Sequence, residues 1–104
     1  MADVLTDEQI DKALAALPGW SRRQGALHHD VRFKDFNEAF GFMTRVALVA
    51  ERLDHHPDWS NSWNTVSIDI VNHAAGGVTQ RCLDLALAID GLYRVTHESE
   101  ITTT

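Results

Sequence analysis

The segment "KDFNEAFGFMTRVALVAERLD", residues 34–54, carries the longest helical pattern in the chain and decides how the rest is arranged. Its apolar residues recur at intervals of three and four, which places their side chains along one side of an α-helix. Asp35 stands where an N-cap side chain would accept hydrogen bonds from the first turn. The segment therefore predicts a long central helix.

Two apolar stripes run side by side along this predicted helix. They consist of Phe36, Phe40, Met43, Ala47 and Ala50 in the first stripe and Phe42, Val46, Val49 and Leu53 in the second. Together they cover more of the helix surface than contact with one core requires. In a chain this small, the second stripe is explained either by deep burial or by contact with another subunit.

Before this helix, the chain predicts a shorter helix and a β-hairpin. Thr6 and Gln9 have the spacing of a capping box, and Pro18 and Gly19 disfavour continuation of the helix that it begins. The stretch "ALHHDVRF", residues 26–33, alternates apolar and polar side chains with the period of a half-buried strand. With "RRQG" as the turn, residues 20–33 are expected to form a hairpin.

After the long helix, the pattern predicts a second pair of strands and a final helix. "SWNTVSIDIVNH", residues 62–73, alternates as a strand, and a shorter strand is expected near residues 59–63. Thr79 is the expected N-cap of a helix whose core stripe comprises Leu83, Ala86, Leu87, Ile89 and Tyr93. Neighbouring strands joined by short turns and bracketed by helices predict an antiparallel sheet and an α+β fold.

Composition limits the class of protein. A chain of 104 residues is expected to be a single domain over residues 1–104, and a net charge of −6 argues against direct binding of nucleic acid. Cys82 is the single cysteine, so no intramolecular disulfide can form. The sequence has no secretion signal and no apolar run long enough to span a membrane, so we expect a cytoplasmic protein without a membrane partner.

The stretch "DHHPDW", residues 54–59, raises the question of chemistry. His55 and His56 could exchange protons near neutral pH, bind a metal ion together with His73, or end a helix in solvent. Extended backbone before Pro57 would point the two adjacent side chains in opposite directions, which makes one shared metal ion awkward. Acid–base chemistry is therefore the stronger functional hypothesis.

Other aromatic and imidazole side chains favour structural roles. Trp59 and Trp63 could stack on a flat ring, but burial in the core is the more common use of such residues. His28 and His29 lie in the middle of the alternating strand, and we expect them to be structural.

Residues 32–73, which join the long helix to "DHHPDW" and the strand after it, resemble the pterin-4a-carbinolamine dehydratase family. The family signature is a His-His-Pro run, an aromatic residue six positions after the proline, and a further histidine ten positions beyond that. Here those residues are His55-His56-Pro57, Trp63 and His73. The resemblance extends from about Leu5 to Ile89.

The resemblance implies dehydration of a 4a-hydroxytetrahydropterin to the quinonoid dihydropterin, with no cofactor and no metal. Catalysis would fall to His55, His56 and His73, with His56 and His55 transferring protons and His73 holding the hydroxyl group and sharing the acid role. Pterin contacts would come from the segments Asp54 to His56 and Val71 to His73, which includes Asn72. Glu51 matches a family acid and could orient a histidine.

The resemblance also implies an architecture and partners. The family fold has three helices on one face of a four-stranded antiparallel sheet, in the order α-β-β-α-β-β-α. Family members assemble as homodimers or homotetramers through the sheet edge and the second helix, which would employ Phe42, Val46 and Val49. The activity would serve an aromatic amino-acid hydroxylase.

The chain departs from the family at one position. An aspartate usually stands three residues into the last helix, where this chain has Cys82, and Asp84 falls on another helix face. A thiol at a helix N-terminus can have a lowered pKa, so Cys82 could replace the aspartate in part. The same departure supports an alternative, in which the fold is a protein-binding module with vestigial activity.

Overall fold

A computed structural model describes residues 3–102, with side chains from residue 3 to residue 96. Seven elements follow one another in the chain: α1 (Asp7–Leu14), β1 (Ser21–Arg23), β2 (Ala26–Arg32), α2 (Phe36–Leu53), β3 (Asp58–Ser62), β4 (Thr65–Ile70) and α3 (Gln80–Thr102). The four strands form one antiparallel sheet in the order β1-β2-β4-β3. The predicted α+β architecture and element order are confirmed.

The sheet separates an apolar layer from a polar one. Val66, Ile68 and Ile70 of β4 are fully buried beneath the helices, while Ser67 and Asp69 between them lie on the opposite, uncovered face. His28 lies on the polar face beside Asp69, with Nδ1 2.8 Å from Asp69 Oδ1. Buried residues of all three helices belong to the same core cluster as the apolar side chains of β4, so the three helices share one side of the sheet.

Local signals place the first elements. Thr6 Oγ1 accepts the Gln9 backbone N–H at 3.1 Å, and Gln9 Oε1 accepts the Thr6 backbone N–H at 2.9 Å, which completes the predicted capping box. Gln24 and Gly25 both have positive φ and form the tight turn between β1 and β2. The predicted hairpin is therefore confirmed, with its turn at the end of "RRQG".

The long helix α2 turns toward its own core the stripe that the resemblance assigned to a subunit interface. Asp35 caps it as predicted, since its Oδ1 accepts the Glu38 backbone N–H at 2.9 Å. Phe42 and Val46 are fully buried in the core of the same chain, so their expected use between subunits is wrong. The stripe left outside begins with Phe36 and Phe40, which are 50% and 55% exposed.

The final helix confirms most of its predicted core stripe. Leu83, Ala86 and Ile89 are buried as expected, but Leu87 is 53% exposed and Leu85, which was not predicted, is fully buried. The side chain of His97 lies outside the described residues. None of the helices in the described part of the chain has the length and apolar character that crossing a membrane requires.

Candidate active site

One cleft gathers most of the residues that the sequence singled out. It has a volume of about 350 Å³ and is lined by Asp54, His55, His56, Pro57, Asp58, Val71, Asn72 and His73. The first five residues join α2 to the start of β3, and the last three follow β4. The topology brings the two segments together because β3 and β4 are neighbours in the sheet.

The end of α2 determines where the two adjacent histidines point. Asp54 adopts a left-handed conformation, with φ 50° and ψ 44°, and so ends the helix. The His55 backbone N–H still donates to Ala50 O at 3.1 Å, and the Arg81 guanidinium donates to Leu53 O. These two hydrogen bonds fix the backbone on either side of Asp54, and His55 points into the protein while His56 points outward.

His55 is the buried histidine of the cleft. Its residue is 8% exposed, and its Nε2 lies 3.1 Å from the Sγ of Cys82, which is fully buried at the start of α3. Burial lowers the pKa of His55 below the ordinary 6.5, and the nearby positive charge of Arg81 lowers it further. His55 is therefore a neutral imidazole at neutral pH.

His56 and His73 are exposed and each has a carboxylate partner. His56 Nε2 lies 2.6 Å from Oε1 of Glu51, which belongs to the last turn of α2. His73 Nε2 lies 2.6 Å from Asp58 Oδ2, at the first residue of β3. In each pair the carboxylate holds one ring nitrogen and leaves Nδ1 for other contacts.

The loop after β4 presents His73. Asn72 and Gly77 pair as an isolated antiparallel β-bridge, in which the Asn72 N–H donates to Gly77 O at 2.9 Å. The Asn72 side chain also accepts the Ala75 backbone N–H at 2.9 Å. These bonds close residues 72–77 into a compact turn, so His73 leaves the sheet at a fixed place beside Asp58.

Several predicted residues lie outside the cleft lining. Glu51 contacts His56, and Cys82 contacts His55, so both act on the cleft only through a histidine that lines it. Trp59 pairs in register with Ile68 and packs partly buried against the core, so the structure does not bring it to the cleft. Trp63 is 66% exposed in the turn between β3 and β4, at the other end of the hairpin.

Sequence reasoning missed Asp58 as a partner of His73. A signal was present, because the acid of "HHPD" directly follows the proline and is therefore close in sequence to the two histidines. Its partner, however, is 15 positions away, and only the pairing of β3 with β4 shows that the two side chains meet. Asp84, the alternative acid of the last helix, is exposed and accepts a hydrogen bond from Gln80 Nε2 at 3.1 Å.

The arrangement offers proton donors and acceptors on two sides of one opening. One imidazole is buried and neutral, and two are exposed and paired with carboxylates, so protons can enter and leave at different points. Within residues 3–96, no three acidic, histidine or cysteine side chains lie close enough to hold one metal ion. A larger depression, of about 750 Å³, lies between α1 and the β1–β2 hairpin and contains no histidine.

Comparison with known proteins gives the family. The family model described as "Pterin 4 alpha carbinolamine dehydratase" matches residues 3–92. A protein of Rhodopseudomonas palustris (strain BisB18), provisionally named a pterin-4-alpha-carbinolamine dehydratase, is 53% identical over 94 residues, which cover 88% of this chain and 93% of that protein. A relative from Nitrobacter winogradskyi with the same provisional name is 50% identical over 96 residues, or 90% of this chain and 95% of its own.

A solved structure agrees with these relatives. The crystal structure of a transcriptional coactivator/pterin dehydratase from Brucella melitensis superposes with a TM-score of 0.85 at 39% identity, and the match covers 88% of this chain and 99% of that one. The sequence match and the fold match thus indicate the same family over nearly the whole length of the chain. The chain belongs to the pterin 4 alpha carbinolamine dehydratase family.

Proposed function

We propose that this protein dehydrates a 4a-hydroxytetrahydropterin to the quinonoid dihydropterin by histidine acid–base chemistry. The observation that carries the proposal is the convergence of His55, His56 and His73 on one cleft. Family membership supports the class of reaction, and the lining of the cleft supports the assignment of the three histidines as its catalytic residues. The reaction would occur in the cytoplasm and return a pterin to an aromatic amino-acid hydroxylase.

The reaction is an elimination of water. The C4a–O bond breaks, the departing hydroxyl group takes up one proton, and N5 loses its proton as the C4a–N5 double bond forms. The net product besides the pterin is one water molecule, so no oxidant or reductant is consumed. Two proton transfers at neighbouring atoms require a donor and an acceptor within hydrogen-bond reach.

The carboxylate-paired histidines are the better candidates for these transfers. Glu51 and Asp58 lie 2.6 Å from the Nε2 atoms of His56 and His73, so each imidazole keeps a partner in both its neutral and its protonated form. His55 has a lowered pKa and is neutral, which suits a fixed hydrogen bond to the hydroxyl group. This division moves the hydroxyl contact from His73, where the resemblance put it, to His55, and leaves His73 with proton transfer, in which it was already expected to share.

The pterin ring would lie between the two segments of the cleft. The segment from Asp54 to His56 and the segment from Val71 to His73 both line this cleft. We propose that main-chain groups of both segments bind the ring edges, which leaves the imidazoles of His55, His56 and His73 for the reacting atoms. Val71 supplies apolar surface, and Asn72 is held by its bond to the Ala75 N–H.

Rates of dehydration test the proposal directly. His55→Ala, His56→Ala and His73→Ala are each expected to slow dehydration of a 4a-hydroxytetrahydropterin roughly 10²-fold, the usual contribution of one acid–base group. His28→Gln is the matched control, because His28 is a histidine of β2 that does not line the cleft. A folded triple variant that dehydrates as fast as the unchanged protein would rule the proposal out.

A second candidate function is assembly through an apolar surface of α2. Phe36 and Phe40 are half exposed on α2, with ring centroids 5.7 Å apart, and form an apolar patch outside the core. The solved relative is titled a transcriptional coactivator as well as a pterin dehydratase. We propose that this patch joins copies of the chain into a homodimer or homotetramer, together with the sheet edge.

A further inference from the structure

The fully buried thiol of Cys82 has no part in the proton transfers proposed above. Its Sγ lies 3.1 Å from His55 Nε2, 3.4 Å from the Thr79 backbone N and 3.6 Å from Thr79 Oγ1. Thr79 is 2% exposed, so water does not compete for these groups. The four polar atoms form a closed cluster at the start of α3, behind the wall of the cleft.

Counting donors within the cluster assigns its protons. The Thr79 backbone N–H can only donate, and Sγ is its acceptor. If the Thr79 hydroxyl also donates to Sγ and the thiol S–H donates to His55 Nε2, every donor in the cluster has an acceptor. If His55 instead carried its proton on Nε2, one donor of the cluster would remain unmatched in a buried place, which costs free energy.

We propose that Cys82 is a positioning residue for His55, whose thiol engages Nε2 inside the protein and so makes the protonated Nδ1 the nitrogen presented to the substrate. The proposal rests on the dehydratase function above and assigns the donor atom of its buried histidine. Nδ1 has no hydrogen-bond partner among the described residues. It is therefore the nitrogen of His55 that remains for a ligand.

A thiol suits this task because it can reverse its direction. It donates to a neutral imidazole, and after rotation of the S–H toward Thr79 Oγ1 it accepts from a protonated one. A carboxylate at the same place could only accept, so it would draw the proton of His55 onto Nε2.

Nuclear magnetic resonance of the histidine side chains tests the assignment on the unchanged protein. Protonated and bare imidazole nitrogens give separate nitrogen-15 signals, so the spectrum reports the tautomer of His55 without any substrate. We expect Nδ1 protonated and Nε2 bare at pH 7.5. A protonated Nε2 and a bare Nδ1 would overturn the inference, even if the protein dehydrates pterins.

Variants then separate positioning from packing. Cys82→Asp should move the proton to Nε2 and raise the pKa of His55, whereas Cys82→Ser, which can both donate and accept, should keep the original tautomer. Cys82→Ala should lower kcat by about tenfold to a hundredfold through loss of orientation, with a smaller effect on KM. Asp84→Ala is the matched control on the same helix, since Asp84 is exposed and accepts its hydrogen bond from Gln80, away from the cluster.

The outcomes distinguish this inference from the proposed function. A protein without dehydratase activity removes the function, while the tautomer measurement still decides the role of Cys82. A protein with dehydratase activity, in which Cys82→Ala and Cys82→Asp change neither the His55 signals nor kcat, removes the inference and leaves the function in place.

Discussion

His73 Nε2 lies 2.6 Å from Asp58 Oδ2, which ties the loop after β4 to the first residue of β3. Both side chains are exposed, at 75% and 59%, so the pair contributes little to the stability of the fold. Its value lies in orientation, because Asp58 holds one nitrogen of the imidazole and directs the other toward the cleft.

Replacing Asp58 by asparagine should therefore slow dehydration without unfolding the protein. Asp58→Asn removes the carboxylate that holds and orients the His73 imidazole, and we expect a loss in kcat on the order of tenfold. Steady-state kinetics measure it. Ser60→Ala, on the same strand and the same sheet face, is the control. An Asp58→Asn variant with unchanged kcat would show that His73 acts without its carboxylate.

Glu51 and His56 should behave as one unit. Glu51→Gln and His56→Ala are each expected to slow dehydration, but Glu51→Gln should have little effect once His56 is alanine, because the carboxylate then has no imidazole to orient. A double-mutant cycle on kcat/KM measures this coupling. Fully additive losses would mean that Glu51 acts elsewhere, for instance on the substrate itself.

Acid should destabilise the fold through two histidines. Burial lowers the pKa of both His29 and His55 from 6.5, although nearby Asp90 and Asp30 partly oppose this for His29. The unfolded chain then binds these protons more readily, so the free energy of unfolding should fall as pH drops below about 6.5. Melting temperatures at pH 7.5 and pH 5.5 test the direction.

A variant isolates the share of His29. His29→Gln cannot gain a proton, so its melting temperature should fall less between those two pH values than that of the unchanged protein. An equal or larger fall would assign the acid sensitivity to groups other than His29.

Two glycines with positive φ should differ in their tolerance of alanine. Gly25→Ala meets open space and should cost about 1 kcal/mol from backbone strain alone. At Gly19 an added Cβ would lie 2.6 Å from His29 Nε2, a ring packed edge-on against Trp20 and Tyr93, so Gly19→Ala should cost more. Denaturant unfolding compares the two variants, and a smaller loss at Gly19 would contradict this packing.

The two apolar surfaces of α2 should separate assembly from folding. Phe40→Glu alters the exposed patch and should reduce the size of the particle in sedimentation while the melting curve stays cooperative. Val46→Glu places a charge in the fully buried core and should unfold the chain. A Phe40→Glu variant of unchanged mass would remove this patch from the interface.

Local signals in the sequence explain most of the fold. The capping box of Thr6, the cap at Asp35 and the alternation of β4 each act within a few residues, so their outcome can be read from neighbours. The choice between the stripes of α2 could not be made this way. Both stripes are apolar, and only the shape of the folded core decides that Phe42 is buried and Phe40 exposed.

The site was predictable in its parts but not in its pairings. Adjacent histidines before a proline already indicated side chains on different walls, and His55 and His56 do diverge. The contacts of His55 with Cys82 and of His73 with Asp58 span 27 and 15 positions, which no local pattern encodes. Those contacts give the three histidines different partners and hence different proposed roles.

The most direct test of the account is a crystal structure of the protein soaked with a dihydropterin. We expect the ring to lie in the cleft between Asp54–His56 and Val71–His73, with all three imidazoles within hydrogen-bond distance of its C4a–N5 side or of a water molecule there. A ring bound elsewhere on the molecule, or one in the cleft that none of the three imidazoles approaches, would contradict it.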